Sequence, residues 1–294
     1  SKNQRKHYKR HKKMNIVLTG GTSGLGYRTA QVLGSEIKNK IILIGSNKHK
    51  GENSVKALIK ETSNKNISFK KCDLSSISEI KSLADKLKKF KIDILINNAG
   101  ALFFSRKESV DKIEKTFALN HLSYFILTNL LLKYKVIKKG GRIVNVASGA
   151  HRGVKLDLNN LEMIRNYNGW ISYKKSKLCN ILFTKKLSEL IKKNNITVNC
   201  LHPGFVKTQF GKNNSGLASL AIKFLMNFFA ISVEEGAETI VFLATDKSVK
   251  NITGKYFYQS KIKEPSIFAQ SQKDADLLWN ISLRIVKNKG LTLT

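Results

Sequence analysis

Asn15-Ile-Val-Leu-Thr-Gly-Gly-Thr-Ser-Gly-Leu-Gly26 is the stretch that decides the fold. A short apolar run ends at Thr19 and breaks into glycines at 20, 24 and 26, after which a helix-length segment begins. Glycine lets the chain turn sharply there and lets its backbone approach a ligand. The helix behind the turn offers unpaired N–H groups and a positive dipole end, which suit a pyrophosphate. The spacing is G-x-x-x-G-x-G, not G-x-G-x-x-G, and it lacks the Lys-Ser/Thr ending of a P-loop, so ATP hydrolysis is not expected. Gly20, Thr22, Ser23, Gly24, Leu25 and Gly26 are therefore the first candidate cofactor contacts.

Outward from this turn, short β-branched runs alternate with longer amphipathic ones. Strands are expected at Asn15–Thr19, Lys40–Ile44, Ile67–Lys71, Ile92–Asn97, Arg142–Val146 and Ile196–Leu201, with helices at Ser76–Phe90, Asp111–Lys133 and Ile171–Lys193. Several strands are apolar throughout, as strands covered on both faces should be. The alternation implies βαβ units, a parallel sheet and right-handed crossovers. The expected fold is α/β: a single-domain, Rossmann-like, doubly wound parallel sheet flanked by helices, over residues 14–294.

The 294 residues, 41% hydrophobic, suffice for one sizeable core. Lys and Arg number 53 against 20 Asp and Glu, a net charge of +33. Such an excess raises nucleic acid or an anionic membrane as partners. Outside the N-terminal arm, however, the lysines are scattered and not interleaved with aromatics, which reads as a solvated surface and argues against nucleic acid. Three separated cysteines, Cys72, Cys179 and Cys200, suggest a reducing compartment without disulfides or a metal site. No stretch reaches the length of a membrane span, and the basic Ser1–Lys13 segment has no apolar signal core. That segment reads as a disordered arm, or as an extension ahead of a start at Met14, and the expected location is cytoplasmic.

In dinucleotide sites an acidic residue after the second strand holds the ribose 2′-hydroxyl and disfavours a 2′-phosphate. Here Ser46 and Asn47 stand there, followed by Lys48-His-Lys50, with no carboxylate. NADP(H) is therefore favoured over NAD(H). Asp73, with Leu74, either meets the adenine or caps the helix after Ser75.

Tyr173 and Lys177 are four apart in Ser172-Tyr-Lys-Lys-Ser-Lys177 and share a helix face. An ammonium beside a tyrosine favours the phenolate and tunes it for acid–base work. The pair gains weight from Asn98, Ala99 and Gly100 after the fourth strand, Ser148 after the fifth, and His202-Pro-Gly204 after the sixth. All lie at strand carboxyl ends, where doubly wound sheets bind ligands.

Taken together, Thr19–Gly26, Asn97–Gly100, Ser148 and Tyr173/Lys177 resemble the short-chain dehydrogenase/reductase family over about Met14 to Tyr258. The resemblance implies that Tyr173 is the general acid/base, and that Lys177 lowers its pKa and binds the nicotinamide ribose. By the same resemblance Ser148 bonds the substrate oxygen and Asn120 holds a relay water. Pro203, Gly204, Val206 and Thr208 would line the nicotinamide side. Leu119–Phe125, Ser176–Phe183, Leu201–Gly204 and Gly254–Phe257 look like the retinol-dehydrogenase-like branch and the neighbouring protochlorophyllide reductases. Two departures from that branch are Ser46 in place of an arginine and Ala147-Ser148 in place of two serines.

Bland roles remain for several residues: Cys179 as a packed small hydrophobe, His121 as structural, His151 and Arg152 as mouth or solvated loop. Apolar Leu217–Ile231, near the 215–231 region where the family places a lid, suits a cover over an apolar substrate, a bilayer-surface contact, a core helix or a homo-oligomer face. The expected activity is reversible hydride transfer between NADP(H) and a carbonyl or alcohol. The alternatives are C=C reduction of a protochlorophyllide-like ring and a non-catalytic dinucleotide sensor or nucleic-acid-associated protein.

Overall fold

The computed structural model describes residues 13–204 and 233–293. Among the described residues the sheet has eight strands: β1 (Asn15–Thr19), β2 (Lys40–Gly45), β3 (Ile67–Lys71), β4 (Ile92–Asn97), β5 (Ile137–Val146), β6 (Thr197–His202), β7 (Tyr256–Tyr258) and β8 (Lys261–Ile262). Their order is β3-β2-β1-β4-β5-β6-β7-β8. All pairs are parallel except β7 with β8. The order reverses between β1 and β4, and the crevice at that switch point is where a doubly wound sheet takes a ligand.

The apolar runs become strands because both faces of the sheet are covered. Alternate residues of β1 enter opposite cores, Val17 one and Ile16 with Leu18 the other, and all three are fully buried. Helices α1 (Gly24–Gly34), α2 (Lys48–Thr62) and α7 (Val233–Thr245) cover the Ile16 face. On the Val17 face lie α3 (Ile77–Leu87), α5 (Ser123–Lys133), α6 (Gly169–Leu190) and α8 (Gln272–Asn288). Trp279 of α8 packs against both Phe125 and Phe183, with ring centroids 4.9 and 5.9 Å away, so α8 covers α5 and α6.

Three elements differ from the sequence expectation. The helix expected from Asp111 starts at the short α4 (Lys115–Phe117), because Asp111 Oδ2 instead accepts the amide of Ile77 at 2.8 Å and Lys112 takes φ +59°. Between α4 and α5 the chain makes a π-turn, Ala118–Leu122. The fifth strand begins at Ile137 and crosses an irregularity opposite Ile92 and Ile94 before Arg142. Among the described residues, no helix is long and apolar enough to cross a membrane.

Candidate active site

The turn after β1 is tied to the end of β4. Thr19 Oγ1 accepts the amides of Asn98 and Ala99 at 2.9 and 3.1 Å, and Asn98 Nδ2 donates to the carbonyls of Thr19 and Gly20. Gly20 has φ +68°, and a Cβ on Gly26 would lie 2.1 Å from the Gly20 oxygen. Neither position accepts a side chain. Ser23 stands at the N-cap of α1, yet its side chain does not cap it, so the helix N-terminus keeps its donors for a ligand.

Ser46 and Asn47 follow β2, and both are exposed. Asn47 caps α2 by accepting the Lys50 amide at 2.9 Å, and that first turn contains no acidic residue. Asp73 Oδ1 accepts from the amide and hydroxyl of Ser75, while Ser76 provides the cap of α3. Asp73 is thus a turn-former and not the helix cap; Leu74 beside it is buried. Gly204 N donates to Nδ1 of His202 at 3.0 Å beyond β6. Val206, Thr208 and the 215–231 segment lie outside the described residues.

Asn120 is delivered by the π-turn, a device that often marks functional sites. Its Oδ1 accepts the Ala101 amide at 2.9 Å, and its Nδ2 donates to Ala101 O and Ser176 Oγ. A Cβ on Gly100 would sit 3.2 Å from Asn120 Oδ1 and 3.3 Å from Lys177 Nζ, so glycine keeps the space between them open.

Tyr173 and Lys177 are both buried on α6. Lys177 Nζ donates to the Val146 carbonyl at 3.1 Å and lies 5.7 Å from the Tyr173 ring centre. The Ser148 side chain lies beside that of Tyr173, and its polar influence by itself lowers the phenol pKa. Burial outweighs it and pushes Tyr173 up to about 12. Burial also pushes Lys177 down to about 7. In place of the expected ammonium setting the phenol, desolvation dominates both groups in the folded chain.

Three residues that support the site carried little or no signal in the sequence. Glu114 is fully buried and accepts four hydrogen bonds, from the amides of Thr116 and Phe117, Tyr167 OH and Ser172 Oγ. It links the approach to Asn120 with the residue before Tyr173. His151, read as mouth or solvated loop, is buried: Nδ1 contacts Ser148 O at 2.7 Å and Nε2 accepts the Ser266 amide at 3.0 Å. Those partners fix a neutral ring with its proton on Nδ1, and burial lowers its pKa accordingly. Trp170 stacks on Tyr173 with ring centroids 5.7 Å apart. By contrast, His121 and Cys179 are structural. His121 is fully buried beside Ser282 Oγ and pushed down to about 3 by desolvation, and the buried Cys179 thiol is pushed up by the same cause. Among the described residues no cluster of metal-ligating side chains occurs.

A tight glycine turn at the switch point, beside a buried phenol and amine, suits an oxidoreductase acting on carbonyl or alcohol groups with a nicotinamide dinucleotide. The short chain dehydrogenase family model matches residues 14–216. The chain is 36% identical over 293 residues to Short-chain dehydrogenase TIC 32 A, chloroplastic, of Brassica napus, covering 94% of this chain and 90% of that one. It is 34% identical over 278 residues to Retinol dehydrogenase 13 of Homo sapiens, covering 92% and 84%. A crystal structure of an uncharacterized protein from Mycobacterium paratuberculosis superposes with a TM-score of 0.76 at 26% identity, covering 93% of each chain. The fold is shared with actinorhodin polyketide ketoreductase with NADPH, at TM-score 0.63 and 22% identity over 83% of this chain and 95% of that one. This chain belongs to the short-chain dehydrogenase family, in its retinol-dehydrogenase-like branch.

Proposed function

We propose that this chain is an NADP(H)-dependent oxidoreductase that reduces the carbonyl of an apolar substrate, with Tyr173 passing the proton. The observation that carries this reading is the buried Tyr173/Lys177 pair on one face of α6, with Lys177 Nζ held by the Val146 carbonyl at 3.1 Å and 5.7 Å from the Tyr173 ring centre, Ser148 beside the phenol and the glycine turn alongside. A buried phenol pushed up to about 12 stays protonated at neutral pH, and that is the form that donates a proton to a developing alkoxide. Ser148 supplies a second hydrogen bond to the same oxygen.

The residues fit a dinucleotide. The Gly20/Gly26 cradle has no space for a Cβ, and the uncapped start of α1 presents free donors to a pyrophosphate. Gly20 and Thr22–Gly26 would hold the pyrophosphate, Ser46 and Asn47 the adenosine ribose, and Asp73 and Leu74 the adenine. Asn98–Gly100, Pro203, Gly204, Val206 and Thr208 would hold the nicotinamide half. When bound, the nicotinamide supplies or accepts the hydride. Lys177 anchors the ribose, and Asn120, with Gly100 keeping the space beside Lys177 open, positions a relay water. The start of α2 carries Lys48, His49 and Lys50 with no carboxylate, which favours a 2′-phosphate and hence NADPH. The three buried, unpaired thiols suit a reducing, cytoplasmic setting.

The reading is tested by titrating the chain with NADPH and NADH, then assaying an aldehyde panel with wild type and Tyr173→Phe. The expected result is tighter NADPH binding, with kcat reduced about 10²- to 10⁴-fold in the variant and cofactor affinity unchanged. Binding of neither nucleotide, or full turnover without the phenol, refutes it.

A further inference from the structure

His202 ends β6, and neither the proton transfer nor the glycine turn uses its side chain. Pro203 has no N–H, so the amide of Gly204 is the first donor beyond the strand. The register of β6 with β7 stops at His202 and Tyr258, short of that amide. The imidazole takes it instead: Gly204 N donates to His202 Nδ1 at 3.0 Å, and Gly204 turns with φ +86°. Asparagine and aspartate close turns in the same way, by accepting the amide two residues on. Acceptance at Nδ1 puts the proton of the neutral ring on Nε2. Burial, with His151 and Arg152 alongside, pushes the His202 pKa down to about 4, so the acceptor is intact at neutral pH.

The ring has two further neighbours. It stacks on Tyr258, its register partner, with centroids 4.4 Å apart and planes 11° from parallel. It also lies against Gly149, where a Cβ would stand 3.0 Å from His202 Cε1 and 3.1 Å from Nε2. Gly149 follows Ser148 and opens the short turn that Ser148 caps. One imidazole thus joins the loop after β5, the turn after β6 and the end of β7.

We infer that His202 is a positioning residue for the nicotinamide end of the dinucleotide: its Nδ1 closes the Pro203–Gly204 turn, and its ring spaces that turn from Ser148. This rests on the dinucleotide reading above. The two contacts have separable roles. The acceptor shapes the turn, whereas the stack on Tyr258 contributes to stability.

Calorimetric titration with NADPH and with 2′-phospho-ADP-ribose, which lacks only the nicotinamide ring, tests the assignment. His202→Phe keeps an aromatic ring on Tyr258 and loses the acceptor. It should bind NADPH about 2- to 30-fold more weakly, the effect of a lost side-chain cap, and bind 2′-phospho-ADP-ribose as wild type does. His202→Asn loses the ring and keeps an acceptor in reach of the amide. Its NADPH affinity should return to within about twofold of wild type, although thermal unfolding should show it to be the less stable variant. Equal loss of both nucleotides in the Phe variant, NADPH affinity unchanged there, or affinities that follow stability would overturn the inference while the dinucleotide reading stands. Binding of neither nucleotide by wild type removes both.

Discussion

Replacing Lys177 by methionine should stabilise this protein while destroying its activity. The ammonium is 3% exposed, and burial holds its pKa at about 7 against 10.5 for a free lysine. At pH 7 the unfolded chain binds that proton far more tightly than the folded one. At 1.36 kcal/mol per tenfold difference in proton affinity, the folded state carries a cost of about 4 kcal/mol. The sign follows from the direction of the shift. Between pH 7 and 10.5 the unfolded state holds more protons, so wild-type stability rises with pH; below 7 both states are protonated and the full cost stands. By pH 9.5 the cost falls to about 1.4 kcal/mol. Methionine fills a similar volume without a charge, and the Val146 carbonyl it abandons is still approached by Asn180 Nδ2 at 3.5 Å and Tyr124 OH at 3.4 Å. Losing the Lys177 bond itself returns about 1 kcal/mol. Urea unfolding of both chains at pH 7 and 9.5 should show Lys177→Met ahead by about 3 kcal/mol at the lower pH, with that lead removed at the higher. A variant less stable than wild type at pH 7, or a difference that ignores pH, would refute the argument.

Two further substitutions probe the cofactor edge and the buried carboxylate. Asn47→Asp keeps an N-cap on α2, so unfolding should move by less than about 1 kcal/mol, while the new carboxylate repels a 2′-phosphate. The NADPH/NADH affinity ratio should drop at least about tenfold by calorimetric titration; an unmoved ratio would place cofactor selection elsewhere. Glu114→Gln turns one accepting oxygen into a donor facing two donors, which should cost about 2–4 kcal/mol in thermal or urea unfolding, whereas Ser172→Ala, losing one of the four bonds, should cost about 1. Equal effects from the two would mean that the carboxylate is not the hub.

What could be read from the sequence was what local pattern dictates. The doubly covered strands announce themselves as unbroken apolar runs, and the glycine turn and Tyr173/Lys177 pair need only short spacings. The rest depends on contacts between distant residues. Asp111 looked like a helix start until its carboxylate found the Ile77 amide, 34 residues away. His151 looked like loop because its partner at Ser266 is 115 residues on. The π-turn that presents Asn120 hides in a pattern that reads as ordinary helix, and β8, two residues long, is too short to show any period. The pKa inversion at Tyr173 and Lys177 comes from burial, which only the assembled fold creates.

The arrangement of the site also explains a row of buried polar groups lying next to it. Asn97 and Asn145 are register partners at the ends of β4 and β5, and Asn97 Nδ2 donates to Asn145 Oδ1 at 2.8 Å. Asn145 Nδ2 donates in turn to Thr184 Oγ1 at 2.9 Å, and Thr128 of α5 accepts from Asn97 at 3.0 Å. On α6, Tyr173, Lys177, Asn180 and Thr184 follow one another at helical repeats of four, three and four, so they form one polar stripe over β5. A rotation of α6, or a one-residue slip of β4, would leave several of these buried groups unpaired at about 1–3 kcal/mol each. Leucines could fill the same space at no loss of stability, but they would accept many rotations of the helix. The stripe accepts one, and that rotation is the one that brings Tyr173 to Ser148 and Lys177 to the Val146 carbonyl.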